Sequence, residues 1–548
     1  MRTAMREHDL RRGSFLDRSP ASSTGDTPKL IGRTMSDITT FFRQAADIVG
    51  ADNVVTPETE AGYADPYPLH TGRPSAGGVR PASVEEVQAI VRLANETGTA
   101  LWTVSRGKNL GYGGAAPRTG DQIVLDLSRM DAIQKVDPEL AYAVIEPGVT
   151  FFNLFDHIQE NKLSLFVSVP ALGWGSVLGN ALDRGYGMSP YGDHVQQLCG
   201  LEVVLPDGSL LRTGMWALED SPLANVFKGG FGPNIDQLFT QSGLGIVVRA
   251  GIWLMPWPEV FVSGDIKVDR IEDLPLLINR IADLRRREVF QNNCLVGNVV
   301  RAGTMNGPRS RWYTGDGSIP DDVVEEMKEK MGIGHWNARF ALYGEPGMIR
   351  ERIKIIEETF DLPGFTLNTR VYEGKDGAKV TYDDIAPADQ TTMAGVPTLK
   401  PLDTIGWYAE DGGHIDIAPL VPARGEEVLD FYGEVKALYT KYGFDLYIGY
   451  HVYARHLVHV TMIFFENGNE EQLARARALY EDVRQAAARR GYTPYRGHID
   501  NMDDIAAEFS FNDNAVLRFQ EKLKDALDPN GILSPGKQGV WPARLRNS

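Results

Sequence analysis

The sequence has almost no cysteine. Cys199 and Cys294 are the only two in 548 residues, which leaves no disulfide framework and no thiolate metal cluster. That usage fits a reducing cytosol, and a cytoplasmic location is the expectation. Long apolar runs are missing too. Residues 1–33 carry Arg2, Arg6, Arg11, Arg12 and Arg18, yet no signal-peptide-length apolar stretch follows them. Nothing approaches the ~20 apolar residues of a membrane span. Residues 1–35 therefore read as a disordered extension, and Met35 offers an alternative start. An excess of positive charge is also absent: 56 Lys and Arg against 73 Asp and Glu give a net charge of −17. That balance argues against nucleic acid or an anionic membrane as partner.

What is present is length for two domains and a globular balance of 43% hydrophobic and 24% charged residues. Ser83-Val-Glu-Glu86 forms a capping signal ahead of Val84, Val87, Ile90, Val91 and Ala94 at helical spacing, and Gly98 ends that helix. A strand over 100–104 then runs into Ser105-Arg-Gly-Lys-Asn-Leu-Gly-Tyr-Gly-Gly-Ala-Ala-Pro117. Glycine lets backbone approach a ligand, and successive exposed N–H groups make a nest for phosphate. Gly111 to Ala116 matches G-x-G-x-x-A, but Pro117 and a strand follow where a Rossmann loop needs a helix, so that reading is rejected. Gly107 to Leu110 instead read as a pyrophosphate cradle made by loop amides, with Tyr112 aimed at the ligand by the glycines beside it.

A second glycine-rich segment includes Gly173-Trp-Gly175-Ser176, Gly179-Asn180, Gly185-Tyr-Gly187 and Tyr191-Gly192-Asp-His194. Two such loops are able to grip two parts of one long cofactor, or simply to turn a sheet tightly. Strands around 142–146, 201–205 and 246–254 complete an α+β first half. Beyond Pro258 the texture becomes helix–strand alternation. Helices are predicted over 271–287, 321–331 and 426–442, with strands over 339–342, 413–418, 445–452 and 456–465. We expect a cofactor domain over 36–270, completed by part of 505–548, and a substrate cap over 271–504. Lys537 returns a cation to an anionic site or to solvent.

These motifs together resemble the vanillyl-alcohol oxidase family, which includes eugenol oxidase and p-cresol methylhydroxylase. The carriers are Gly111-Tyr-Gly-Gly-Ala-Ala-Pro117, Gly173-Trp-Gly-Ser176, Ser189-Pro-Tyr-Gly-Asp-His194, Gly412-Gly-His414, Tyr495-Arg496 and Asp528-Pro-Asn-Gly531. The resemblance runs from about residue 36 to Pro542. It implies an α+β fold, a p-cresol-methylhydroxylase-type FAD-binding domain with an α+β cap. It also implies FAD-dependent oxidation of para-substituted phenols through a quinone methide. The FAD contacts it implies involve Arg106, Gly107, Lys108, Asn109, Leu110, Pro170, Gly175, Ser176, Gly179, Asn180, Gly185, Tyr191, Gly192, Gly245, Ile246, Val247 and Lys537. A covalent 8α link to FAD at His414 is implied as well. Tyr112, Tyr495 and Arg496 are expected to hold the phenol oxygen, since a guanidinium with two phenolic donors favours phenolate. The implied acceptor is O2, giving hydrogen peroxide. A dehydrogenase serving a separate cytochrome c or azurin-like protein is the alternative, since the chain has no C-x-x-C-H of its own. A flavin-binding relic with little turnover is a third reading, and a homodimer or higher homo-oligomer is expected.

The departures matter equally. Relatives of this type place an aspartate after the proline corresponding to Pro170, where this chain has Ala171. Methylhydroxylases use a glutamate at the position aligned with Gly449. Water addition to a quinone methide then lacks its usual base. Strand alternation puts Asp416 on the face of His414, and His451 on the face of Gly449. Either residue is an expected replacement; the competing reading makes Asp416 an ion-pair partner and His451 packed core. Gln390 stands where an arginine is expected.

Overall fold

A computed structural model describes residues 35–56, 63–69, 75–374 and 378–546. The extension expected at 1–35 lies, but for its last residue, outside the described residues. The first half holds two sheets. One has four strands in the order Val54–Val55, Gly78–Val79, Ile123–Asp126, Leu101–Val104, the last two parallel. The other has five, in the order Ile133–Asp137, Tyr142–Ile145, Ile246–Trp253, Leu198–Val204, Leu210–Arg212. Helix Val84–Thr97 begins as predicted, with the Ser83 hydroxyl accepting from the Glu86 N–H and Gly98 closing it at φ 62°. The Glu86 carboxylate reaches back to the Ala82 N–H, one residue beyond the expected capping-box partner. No helix lies between Leu101–Val104 and Ile123–Asp126, so the glycine loop links parallel strands without a Rossmann helix.

The chain end returns to this half. Leu101 N–H donates to Ile532, Ser534 N–H donates back to Leu101, and Ile532 and Leu533 join the core beneath helix Val84–Thr97. Lys524 and Asp528 are buried beside this join at 2.7 Å, and Lys524 also donates to Gly243 and Leu533.

The second half is built on an eight-stranded antiparallel sheet. Its main order is Phe365–Glu373, Val260–Val268, Trp336–Gly344, Cys294–Asn298, Tyr447–Val452, His456–Glu466, Gly412–Ile417, and Leu420–Pro422 also pairs with His456–Glu466. One face carries Val296, Ala338, Phe340, Tyr450, Ile415 and Ile463. These pack under helices Leu274–Arg286, Gly425–Tyr442 and Glu470–Arg489 in the largest core. Register and alternation put His414, Asp416, Leu295, Arg339, Gly449 and His451 on the opposite face. That unhelical face bears the chemistry.

Candidate active site

The glycine loop folds back on itself. Tyr112 and Gly114 both donate to the Asn109 carbonyl. Gly111 holds φ 75°, and a Cβ there would lie 2.9 Å from His414 Nε2 and 3.0 Å from the Asp416 carboxyl carbon. Glycine is therefore required twice over, by the left-handed backbone and by the close passage over the sheet. The Tyr112 carbonyl accepts from Ile499, and Gly113 lies against that side chain. The loop is thus clamped between the sheet and the segment carrying Tyr495 and Arg496.

Those two residues meet Tyr112. The Arg496 guanidinium lies 4.4 Å from the centre of the Tyr112 ring. Its Nη2 pairs with Asp183 at 2.8 Å and donates to the Asn109 side chain, while its Nε is buried with no partner among the described residues. Burial opposes the charge, but Asp183, Tyr495 and Tyr112 together outweigh it and hold Arg496 above its ordinary value. Burial pushes the Tyr112 hydroxyl far up. Burial also raises Tyr495, against the opposing pull of Arg496. The result is two neutral phenolic donors beside one permanent cation. Tyr186 adds a third ring, 5.7 Å from Tyr495, and His451 follows at 4.5 Å from Tyr186.

His414 and Asp416 share one face, with Nε2 and Oδ1 3.6 Å apart. Both are buried, and His414 Nδ1 and Asp416 Oδ1 have no hydrogen-bond partner among the described residues. Burial lowers His414 to about 4 and raises Asp416 to about 7, the latter against the pull of Arg496 and His498. His451 is buried with Nδ1 unpartnered, and burial aided by Arg301 lowers it to about 3. His498 differs. Burial opposes its charge, but hydrogen bonds to Asp500 and Asp65 outweigh that and raise it to about 9.

The remaining residues named from sequence fall into two groups. Arg106 donates to the Ser128 carbonyl, and Lys108 lies 5.2 Å from the Trp174 ring, so both glycine segments border one another. A Cβ on Gly179 would collide with Ser105, which joins them again. Gly175 and Pro170 lie in the same second segment, just before helix Val177–Leu182. Other side chains are already engaged. The Ser176 hydroxyl caps that helix through the Gly179 N–H and donates to Pro147. Asn180 Oδ1 binds His194, Gly185 packs on the Asn180 amide, and Gly192 lies against Gly187. Leu110, Ile246 and Val247 are buried in cores, Tyr191 packs beside Met188, Gly245 lies against Val203 and Phe239, and Lys537 sits 5.2 Å from the Trp102 ring. Gln390 donates to the Tyr382 and Ile385 carbonyls.

Asp183, Tyr186 and the Asp65–His498 pair were not singled out in the sequence. Only Asp183 and Tyr186 carried a signal, lying among glycines Gly179, Gly185 and Gly187. The donor set fits a long anionic cofactor: two bordering glycine segments, the first with left-handed φ at Gly107 and Gly113, and a buried, neutral histidine whose Nδ1 is free of partners among the described residues.

Comparison with known proteins agrees with that fit. Residues 75–214 match the model of an FAD binding domain, and residues 402–538 match that of the FAD linked oxidases, C-terminal domain. The flavoprotein subunit of 4-cresol dehydrogenase [hydroxylating] from Pseudomonas putida is 33% identical over 519 residues, spanning 93% of this chain and 97% of that protein. The 1'-carboxy-chondrochloren decarboxylase of Chondromyces crocatus is 28% identical over 535 residues, spanning 90% of this chain and 97% of that one. The structure of 4-ethylphenol oxidase from Gulosibacter chungangensis with isoeugenol superposes with a TM-score of 0.89 at 32% identity, covering 95% of this chain and all of that one.

Proposed function

This chain belongs to the FAD-linked oxidase family of the 4-cresol dehydrogenase flavoprotein subunit, and from that premise we propose that it oxidises para-substituted phenols at the benzylic carbon. Bound FAD supplies the hydride acceptor. The observation that carries the reading is the Arg496 guanidinium over Tyr112, anchored by Asp183 and Asn109 and adjoining Tyr495. A phenol oxygen placed among these groups receives two neutral O–H donors and the guanidinium N–H groups that Asp183 leaves free, so its proton leaves more readily. Phenolate electrons then push toward the para position and weaken the benzylic C–H bond.

Asp416 and His451 are the groups proposed to handle the protons. Asp416, at about 7, is matched to exchange a proton near neutral pH. His451 is neutral and lies beyond Tyr186 from the phenolate end, which suits it to orient a water at the benzylic carbon. Together they stand in for the acids absent at Ala171 and Gly449. The Gly107–Leu110 amides and the Gly175–Gly179 segment are proposed to hold the FAD pyrophosphate, and His414 to attach the flavin covalently. A neutral, unpartnered imidazole supports that role.

The proposed acceptor is O2, yielding hydrogen peroxide. A panel of 4-alkyl and 4-allyl phenols, scored in parallel for peroxide and for dye reduction, tests the reading. Phenol-dependent peroxide is the expected result. Dye reduction without peroxide would replace O2 by a protein acceptor, and no flavin bleaching by any phenol would refute phenol oxidation.

A further inference from the structure

On the active face of the large sheet, Gly297 and Gly449 lie directly opposite one another. Arg301 fills the space both leave. A Cβ on Gly297 would lie 2.8 Å from Arg301 Cδ, and one on Gly449 would lie 3.4 Å from its Nε. The side chain therefore lies flat across the sheet, with its guanidinium 5.8 Å from the Tyr447 ring. Arg339 stands on the same face, opposite Leu295, which is itself opposite His451. Neither guanidinium has a hydrogen-bond or ion-pair partner among the described residues.

The nearby carboxylates do not compensate them. Asp389 is bound twice by Arg370, at 2.6 and 2.9 Å, and also accepts from Tyr372 and Ser263. Asp265 takes the third Arg370 contact at 3.2 Å and accepts from Asn368. Three guanidiniums against two carboxylates leave this patch with one net positive charge, and burial joined by Arg301 lowers Arg339 below its ordinary value. A half-buried, unpaired cation is costly unless an anion is meant to join it. The patch lies on the His451 side: Arg301 lies over Gly449, two residues before His451 on the same face, and Arg339 is in register with Leu295 and so with His451.

The site thus has a cation at each end: Arg496 for a phenol oxygen, and Arg301 with Arg339 beyond His451. Resting on the phenol-oxidation reading, we propose that the preferred substrates are para-substituted phenols whose side chain ends in a carboxylate, bound by Arg301 and Arg339. Glycine at 297 is then a specificity feature: a Cβ there would press on Arg301 Cδ and displace the side chain from the sheet face.

Calorimetry of the FAD-loaded protein, kept reduced under anaerobic conditions so that no hydride transfer accompanies binding, tests this with 3-(4-hydroxyphenyl)propanoate and its methyl ester. The acid is expected to bind about 10- to 100-fold more tightly, the range of a charge-assisted contact. Arg301→Met and Arg339→Met each reduce that preference to within about threefold, while Arg301→Lys keeps most of it, which separates charge from folding. An ester that binds as tightly as the acid, or a preference that survives both methionine substitutions, overturns the proposal. Oxidation of neutral 4-propylphenol is scored separately. Its failure counts against the phenol-oxidation reading, while the acid-to-ester ratio still decides this one.

Discussion

Replacing Asp416 by asparagine keeps its shape and removes its titration. Burial holds this carboxyl at about 7 against an ordinary 3.8, so ionising it in the folded protein costs about 4 kcal/mol more than in the unfolded chain. Between those values the folded state keeps a proton that the unfolded chain has released. The stability linked to this residue is therefore fully present below about pH 4, falls as pH rises, and is lost above about pH 7. Asp416→Asn does not titrate, so relative to wild type it gains about 4 kcal/mol from pH 4 to pH 8. With an unfolding entropy near 2.1 cal/mol/K per residue, that corresponds to about 4 °C in Tm for a chain of this length. Thermal midpoints of both proteins at pH 4.5 and pH 8 give the double difference, in which other titrating groups cancel. The same substitution should remove the pH limb near 7 from kcat/KM for phenol oxidation and lower the plateau by about 100-fold. Parallel Tm profiles, with an unchanged kinetic limb, would refute the raised carboxyl and its role together.

Arg496→Met strips the phenolate end of its cation, and kcat/KM for phenols should fall by about 10²–10³, read by steady-state oxidation; a tenfold loss or less would remove Arg496 from the mechanism. Wild-type protein precipitated in acid should keep its yellow flavin, and His414→Ala should release it into the supernatant. Release from wild type would dismiss covalent attachment. Lys524→Met leaves Asp528 buried without its partner and should cost about 3–5 kcal/mol in urea unfolding. A cost below 1 kcal/mol would show that the pair does not tie the chain end to the first half.

The parts of the fold that were legible in the sequence are those with local causes. Ser83 and Gly98 bracket a helix because cap chemistry is local, and Pro117 excludes a Rossmann helix within the glycine loop. The predicted helix over 271–287 is in fact a short 3-10 turn, Ile271–Asp273, leading into Leu274–Arg286 with Pro275 in its first turn. Edge strand Phe365–Glu373 has a weak period, because Thr369 and Glu373 interrupt the face of Phe365, Leu367 and Val371, and Tyr372 interrupts the polar one. Helix Glu470–Arg489 carries a helical signal in the sequence, with Leu473, Ala476, Leu479, Tyr480, Val483 and Ala487 at three- and four-residue spacing.

The site divides in the same way. His414 and Asp416 were brought together by alternation within one strand, and the structure places them 3.6 Å apart. Asp183 and Arg496 belong to distant segments, and only the packing of the second glycine segment against the 495–499 loop makes them a pair. Strand register puts Arg339 on the face of Gly297 and Gly449, and Arg301 reaches that face from helix Val299–Thr304 by lying back over the two glycines, a placement periodicity cannot supply.

Charge at the site is allotted by burial. His414, His451, His459 and His194 are all driven to between about 3 and 4 and are neutral at physiological pH. Among the described residues, His498 alone of these buried imidazoles is held charged, and it is locked to Asp65 and Asp500. The cations left to meet a substrate are arginines, which do not titrate in the working range. Substrate binding should therefore vary little with pH except through Asp416, whose carboxyl, alone among the described residues, lies in direct reach of His414 and is poised to change charge near neutrality.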